Sequence, residues 1–519
     1  MVTETYSGMV LGIEGLMVTI QADISDGLPV FNMVGLLSSE VKEAKERVRT
    51  AFKNIGLRLP PKRIAVNLAP ADIKKRGTGF DLGIAVALLI AMGLISQEKA
   101  DQYFFLGELA LDGSITKIQG TLPILYEARK QGYKKCVIPM ENEREASLLS
   151  GLEVYTFDDL SSLYHFLNGD LAGSDYGQPI PCLNSDVFSQ SNAELEYEVD
   201  FSQIRGQALA KRALMIAAAG FHNIFLDGPP GVGKSMLAAA AAGILPEMTK
   251  EEIIDVTMIY SVKGLLGKEE PWISHRPFRN PGHAVTQIGL FGGGIDPKPG
   301  EISLAHKGVL FLDEFTEYRR KEILEMLRIP IEDHRIMIVR NERTITYPAD
   351  FLLIAASNPC PCGYYPDRSR CHCTMRQITN HQSRLSGPIM DRIDLFVRCE
   401  EVDYRTMTTD REESTSAFIR ERVMEAWQIQ KYRAAGRKEY FNGRMMNSDI
   451  GRFCKLSSED NKLLEKVYDT YHMSGRSLNR TLKVARTIAD LDGSEDIRTE
   501  HLEEALLYRR LGPGLGDWA

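Results

Sequence analysis

Three short, unbroken apolar runs, each ending on a polar or glycine-rich turn, organise the middle of this chain. Ile224 to Leu226 in "HNIFLDGPPGVGKSMLAAAAAGIL" predict a short buried strand, and the small and apolar residues from Met236 onward predict a helix. Val309 to Leu312 in "GVLFLDEF" have the continuous apolarity of a buried parallel strand. A third strand is predicted over "FLLIAASN", ending at Asn358. Between the second and third, Ile336, Ile338, Ile345 and Tyr347 recur at every second position, which predicts a β-hairpin with a charged tip from Arg340 to Arg343. Near the C-terminus, Leu478, Leu482, Ala485, Ile488 and Ala489 mark one face of a helix. The longest apolar stretches, such as "GIAVALLIAMGLI" from Gly83, fall short of the roughly 18 to 20 residues that cross a bilayer.

Charge supplies the main boundary. No Lys or Arg occurs between Arg144 and Arg205, and within that gap a segment rich in Gly, Pro, Ser and Asn predicts an exposed linker over 171–200. The expected organisation is an N-terminal domain over 1–170, the linker, a core over 201–400 and a C-terminal helical part over 401–519. With 519 residues, 44% hydrophobic, the chain can bury more than one core. A net charge of -8 excludes a globally basic nucleic-acid binder, so any DNA surface must be local, a pore or a groove. Met1 is followed by acidic and polar residues rather than a signal peptide. A soluble, cytoplasmic chain without membrane contact is expected.

The turn after the first strand, Gly228, Pro229, Pro230, Gly231, Val232, Gly233, Lys234 and Ser235, with Met236 opening the helix, fits a phosphate-binding loop. Glycines let backbone N–H groups wrap phosphates, Lys234 reaches the β and γ phosphates, and Ser235 can hold Mg²⁺. The second strand ends in Asp313, placed to hold Mg²⁺ through water, and Glu314, placed to polarise an attacking water. Asn358, at the end of the third, can orient that water. Immediately after it, "NPCPCGYYPDRSRCHC" carries four of the chain's eight cysteines. Cys360, Cys362, Cys371 and Cys373 offer the four thiolates of a closed tetrahedral site, which soft sulfur biases to zinc or iron, with His372 able to replace one. Upstream, His275, Arg276, Arg279, His283 and Lys298 interleave with Phe278 and Phe291, a composition suited to a groove that tracks single-stranded DNA.

The phosphate loop, "LDEF", the terminal Asn and "RLSGPIMDRIDL" together resemble an AAA+ ATPase of the magnesium-chelatase-like branch, the YifB/ComM family, over nearly the whole chain. The resemblance implies an α/β AAA+ core with a helical lid, ATP as the nucleotide, and a homo-hexameric ring. It implies an arginine finger at Arg392 projecting into the neighbouring subunit's nucleotide, with Arg384 as the alternative. It also implies a second sensor at Arg476 contacting the γ-phosphate, which Arg480 could share, and an adenine-side segment with Ile204 and Gly206. The hairpin carrying Arg340 and Arg343 matches one that related helicases point into a central pore, and Arg279 and Lys298 are further candidate DNA contacts. "GTGFDLG" and "IQGTLP" resemble the Lon-type protease fold, but Asp81 and Pro123 stand where its Ser and Lys are expected, so no proteolysis is implied. The activity implied is ATP-driven movement on single-stranded or branched DNA, as in helicase or branch-migration work. The alternative, a chelatase-type remodeller, is disfavoured on the expectation that chelatase likeness stops short of the N-terminal part.

Overall fold

A computed structural model describes residues 2–169, 178–182, 199–267, 270–318, 321–340, 343–408, 414–437 and 440–509. Most of the expected linker and the hairpin-tip residues Asn341 and Glu342 lie outside the described residues. Within the linker, Ile180 donates its backbone N–H to Val154 O at 2.8 Å and packs on an apolar core.

Strands β1 (Thr3–Leu11), β2 (Glu14–Ser25), β3 (Val30–Val34), β4 (Arg63–Ala69), β5 (Tyr103–Phe105), β6 (Lys135–Pro139) and β7 (Glu153–Phe157) form a mixed sheet in the order β3-β4-β2-β1-β5-β6-β7. The apolar run from Gly83 belongs to the helix Asp81–Ala91, buried from Asp81 through Ile90. It lies close on the sheet, where a Cβ on Gly83 would come within 2.8 Å of Ile20. Its all-round apolarity therefore reflects burial in a protein core. Among the described residues no helix is long and apolar enough to cross a membrane. Asp81 is held by Arg47 through both oxygens, at 2.6 and 3.0 Å, and Pro123 is buried in the helix Thr121–Lys130.

The second sheet contains β8 (Ile224–Asp227), β9 (Phe278–Arg279), β10 (Val309–Leu312), β13 (Leu352–Ser357) and β14 (Leu395–Arg398), after the hairpin strands β11 (Arg335–Arg340) and β12 (Arg343–Pro348). It is parallel throughout, in the order β9-β10-β13-β8-β14. In the hairpin Ile336 pairs with Tyr347 and Ile338 with Ile345, so the alternating residues face one side as expected. That side is closed partly by Leu11 and Ile13 from the β1–β2 turn.

The N-terminal part has a core of its own, including Val48, Phe52, Val66 and Leu88, and two further cores cross the expected boundaries. The helix Lys250–Lys263 contributes Ile253, Val256 and Ile259 to a core that also holds Phe104, Leu122 and Leu125 of the N-terminal part. The C-terminal helix Gly475–Leu491 buries Ala485, Ile488 and Ala489 together with Ile216, Ile224 and Leu395 of the second sheet's core, with Leu478 and Leu482 at its margin.

Candidate nucleotide site and cysteine cluster

Because β8, β13 and β10 are adjacent and parallel, the turns after them emerge side by side at the carboxyl edge of the sheet, where α/β sheets place their chemistry. Asp227 pairs with Ser357 and Leu312 with Ala355, which brings Gly228, Asn358 and Asp313 to one crevice. Gly228 has no room for a side chain, since a Cβ would lie 2.4 Å from the Cys399 carbonyl oxygen. Gly231 and Gly233 have φ of 81° and 88°, a region that favours glycine. The helix Lys234–Ala242 starts directly after them, its first N–H groups free for phosphate oxygens.

Lys234 Nζ donates to the carbonyls of Gly228 (2.6 Å) and Pro229 (2.8 Å) and to Asn358 Oδ1 (3.0 Å), so the phosphate loop is tied to the third strand. Burial lowers the Lys234 pKa, while Cys399, Asp227 and Asp313 pull it the other way. Ser235 Oγ donates to Asp313 Oδ2 at 2.9 Å, the pair that would share a Mg²⁺. Glu314, at φ 48°, lies half exposed with Oε2 3.0 Å from His283 Nδ1. Met236 is exposed beside the loop. Ile204 is buried and Gly206 packs near Val402, while Gln207 between them and the helix donates to Val232 O at 3.3 Å, joining this segment to the phosphate loop.

Sequence reasoning missed three residues here. His283, which the sequence places only in a basic insert, faces Glu314. His381 bridges Asn358 O (2.9 Å) and Thr316 Oγ1 (3.1 Å), fixing the third strand's end to the segment after Glu314. Glu332 sits where it decides the fate of two arginines.

Those arginines are not at this crevice. Asp394 donates its N–H to Asn223 O at 2.9 Å, and Asn223 precedes β8, so Arg392 lies at the amino edge of the sheet. The four residues of β8 separate it from the phosphate loop by about 13 Å at 3.3 Å per residue. Arg392 does not project outward: it is buried, donating to Pro388 O at 2.7 Å and to Glu332. Arg476 donates to the same carboxylate at 2.6 Å, and Arg480 to Arg392 O at 2.9 Å. Arg476 and its helix thus pack at the edge of the sheet opposite this chain's own phosphate loop. Burial works against the charge of Glu332, but Arg392, Arg476 and Arg480 hold its pKa below the usual carboxylate value. Arg384 instead lies beside the crevice, donating to Thr316 O (2.9 Å) and Glu317 (3.0 Å).

Most of the basic insert is engaged within the fold. Arg279 belongs to edge strand β9 and pairs with Glu301 at 2.7 Å. Arg276 is buried against Glu252 at 3.0 Å and the Lys307 carbonyl at 2.6 Å. Phe278 stacks on Phe311 and Phe291 is buried. These groups satisfy the fold's own carbonyls, carboxylates and core, leaving Lys298 exposed on the insert and Arg340 exposed on the hairpin.

The four cysteines do converge. Sγ atoms of Cys360, Cys362, Cys371 and Cys373 all lie within 4.8 Å of one another, with individual separations of 3.3, 3.8 and 3.6 Å. Four sulfurs about 2.3 Å from one zinc stand about 3.8 Å apart, so the set fits that ion. His372 is exposed outside it. The loop also forms a wall of the nucleotide crevice: at Gly363, with φ 87°, a Cβ would lie 2.4 Å from Pro230 Cδ. Gly363→Ala should therefore cost about 1–2 kcal/mol from the left-handed backbone alone. It should also weaken nucleotide binding, read from unfolding midpoints with and without ATP.

Comparison with known proteins accords with this geometry. A profile described as "Magnesium chelatase, subunit ChlI" matches residues 200–407, and its C-terminal counterpart matches 413–509. A third, "Subunit ChlI of Mg-chelatase", matches 20–142, so the expectation that chelatase likeness stops short of the N-terminal part is not upheld. The chain is 41% identical to Competence protein ComM of Haemophilus influenzae, over 98% of this chain and 97% of that protein. It is equally 41% identical to the uncharacterized protein YifB of Escherichia coli, over 96% of each. Lon protease 2 of Bacillus subtilis is 30% identical over 40% of this chain and 42% of its own length. The chain thus belongs to the YifB/ComM family of magnesium-chelatase-like proteins, an AAA+ core behind a Lon-like N-terminal region.

Proposed function

We propose that this protein is an ATP-driven ring motor, a homo-hexamer in the cytoplasm, that moves on single-stranded or branched DNA. The observation that carries this reading is the convergence of Lys234, Ser235, Asp313 and Asn358 at one sheet edge, with a separate hairpin packed on that sheet's core and presenting Arg340 to solvent, and Lys298 exposed on a neighbouring loop. Likeness to a protein named for competence supports a role in DNA uptake or recombination.

In turnover, Lys234 leaves its loop carbonyls for the β and γ phosphates, and Asn358 orients the attacking water. Glu314 accepts that water's proton as its oxygen bonds to the γ-phosphorus and the bond to the β-phosphate oxygen breaks. Ser235 and Asp313 hold Mg²⁺, which supplies charge neutralisation on the phosphates. Arg392, joined by Arg476 on the same edge, serves the nucleotide of the next subunit after leaving Glu332. Strand displacement from a labelled fork should require hydrolysable ATP; binding without displacement would rule out the motor.

Cys360, Cys362, Cys371 and Cys373 hold one structural zinc, which supplies order without electron transfer. Elemental analysis of protein purified without added metal should give about one zinc per chain. Cys371→Ser with Cys373→Ser should lose it, and a stoichiometric iron would overturn the assignment.

A chelatase-type remodeller is the second reading, favoured by three profiles that all carry the chelatase description. It predicts turnover that responds to a partner protein and ignores DNA.

A further inference from the structure

Beside the hairpin lies a cleft of about 620 Å³ whose walls come from both halves of the chain. On the motor side it is lined by Arg340, Ile345 and the loop Ile295 to Lys298. Hairpin and loop are joined there by Tyr347, whose hydroxyl donates to Pro297 O at 2.7 Å. The opposite wall is N-terminal and carries Lys74, Arg76 and Lys117. Lys74 and Lys117 are exposed, and Lys117 Nζ is steadied by Leu266 O at 3.0 Å. Three carboxylates also face the cleft. Asp296 pairs with Arg76 across it, Glu108 accepts from Thr78 Oγ1 at 2.5 Å, and Asp72 is the third.

Small-molecule pockets of this size are lined mainly by apolar and aromatic groups. This cleft shares the apolar part of such a lining, but has no aromatic ring among its lining residues and carries five cations, Lys74, Arg76, Lys117, Lys298 and Arg340, against the three carboxylates. That is the chemistry of a polyanion held by its phosphates, without base stacking. The volume suits a short stretch of one strand and not a duplex.

We infer that the Lon-like domain is part of the DNA track: Lys74 and Lys117 continue the phosphate contacts of Arg340 and Lys298 along a single strand. This rests on the DNA reading above and gives a task to a domain whose dyad positions hold Asp81 and Pro123.

The test is anisotropy of labelled oligothymidine with the full-length chain and a non-hydrolysable ATP analogue, from about 50 to about 200 mM KCl. Lys74→Gln with Lys117→Gln should lower the slope of log affinity against log salt by about 1.4, at about 0.7 per single-strand phosphate contact. Lys74→Gln alone, which leaves the Leu266 contact in place, should lower it by about 0.7. Unfolding midpoints verify that the domain remains folded. If Arg340→Gln lowers the slope and neither lysine variant does, the track is confined to the hairpin and the inference is wrong. Equal slopes and affinities for duplex of the same length would overturn the single-strand assignment. No binding by the wild-type chain at the lowest salt would overturn the DNA reading itself, and this inference with it.

Discussion

Glu314→Gln should bind ATP as tightly as the wild-type chain and turn it over about 10²- to 10⁴-fold more slowly, the range for loss of a positioned general base. The amide keeps the size and hydrogen-bonding reach of the side chain but cannot take the proton of the attacking water. The substitution leaves Lys234 on Asn358 and Ser235 on Asp313, so the phosphate-binding half of the site stays assembled. Lys234→Ala should give the opposite pattern, loss of binding, because it removes the charge that three oxygen acceptors now hold at the loop. Binding of a fluorescent ATP analogue and phosphate release, measured on the same preparations, separate the two. Normal turnover by Glu314→Gln would remove Glu314 from the mechanism.

Arg392→Ala should reduce turnover about 10³- to 10⁵-fold, the worth of an arginine finger in related phosphoryl transfers, although it lies a strand's length from its own phosphate loop. Its position makes the effect one between subunits. Mixing Arg392→Ala with Lys234→Ala chains should restore part of the activity at interfaces where an intact arginine meets an intact loop. Arg476→Ala should complement Lys234→Ala in the same way, since Arg476 shares the Glu332 carboxylate with Arg392. Turnover by a monomer, established by sedimentation at the assay concentration, would rule out the trans arrangement.

The parts legible in the sequence are those whose geometry is set within a few residues. A four-residue apolar run ending in Asp313 and Glu314, downstream of a phosphate loop, reads as a buried strand delivering two carboxylates to its edge. The two Cys-x-Cys pairs likewise announce a site whose sulfurs converge. Arginines gave no such signal. Arg276, Arg279 and Lys298 look alike in a charged insert, yet one is buried on Glu252, one is held by Glu301 and one is exposed. The difference comes from carboxylates far along the chain. Arg392 and Arg476 are held together at their edge by Glu332, supplied from just before the hairpin, and no local pattern marks it. The shared cores were hidden for a related reason. The helix Lys250–Lys263 shows little one-sided patterning because it is covered by the N-terminal part as well as by Ile273 and Leu304 of its own part.

The central claim, that ATP turnover here is coupled to DNA, is tested most directly by steady-state phosphate release with and without single-stranded and branched DNA. The account predicts turnover that rises with DNA to a plateau and falls back as salt releases the strand. Turnover by the assembled ring that is unchanged at every DNA concentration would contradict it.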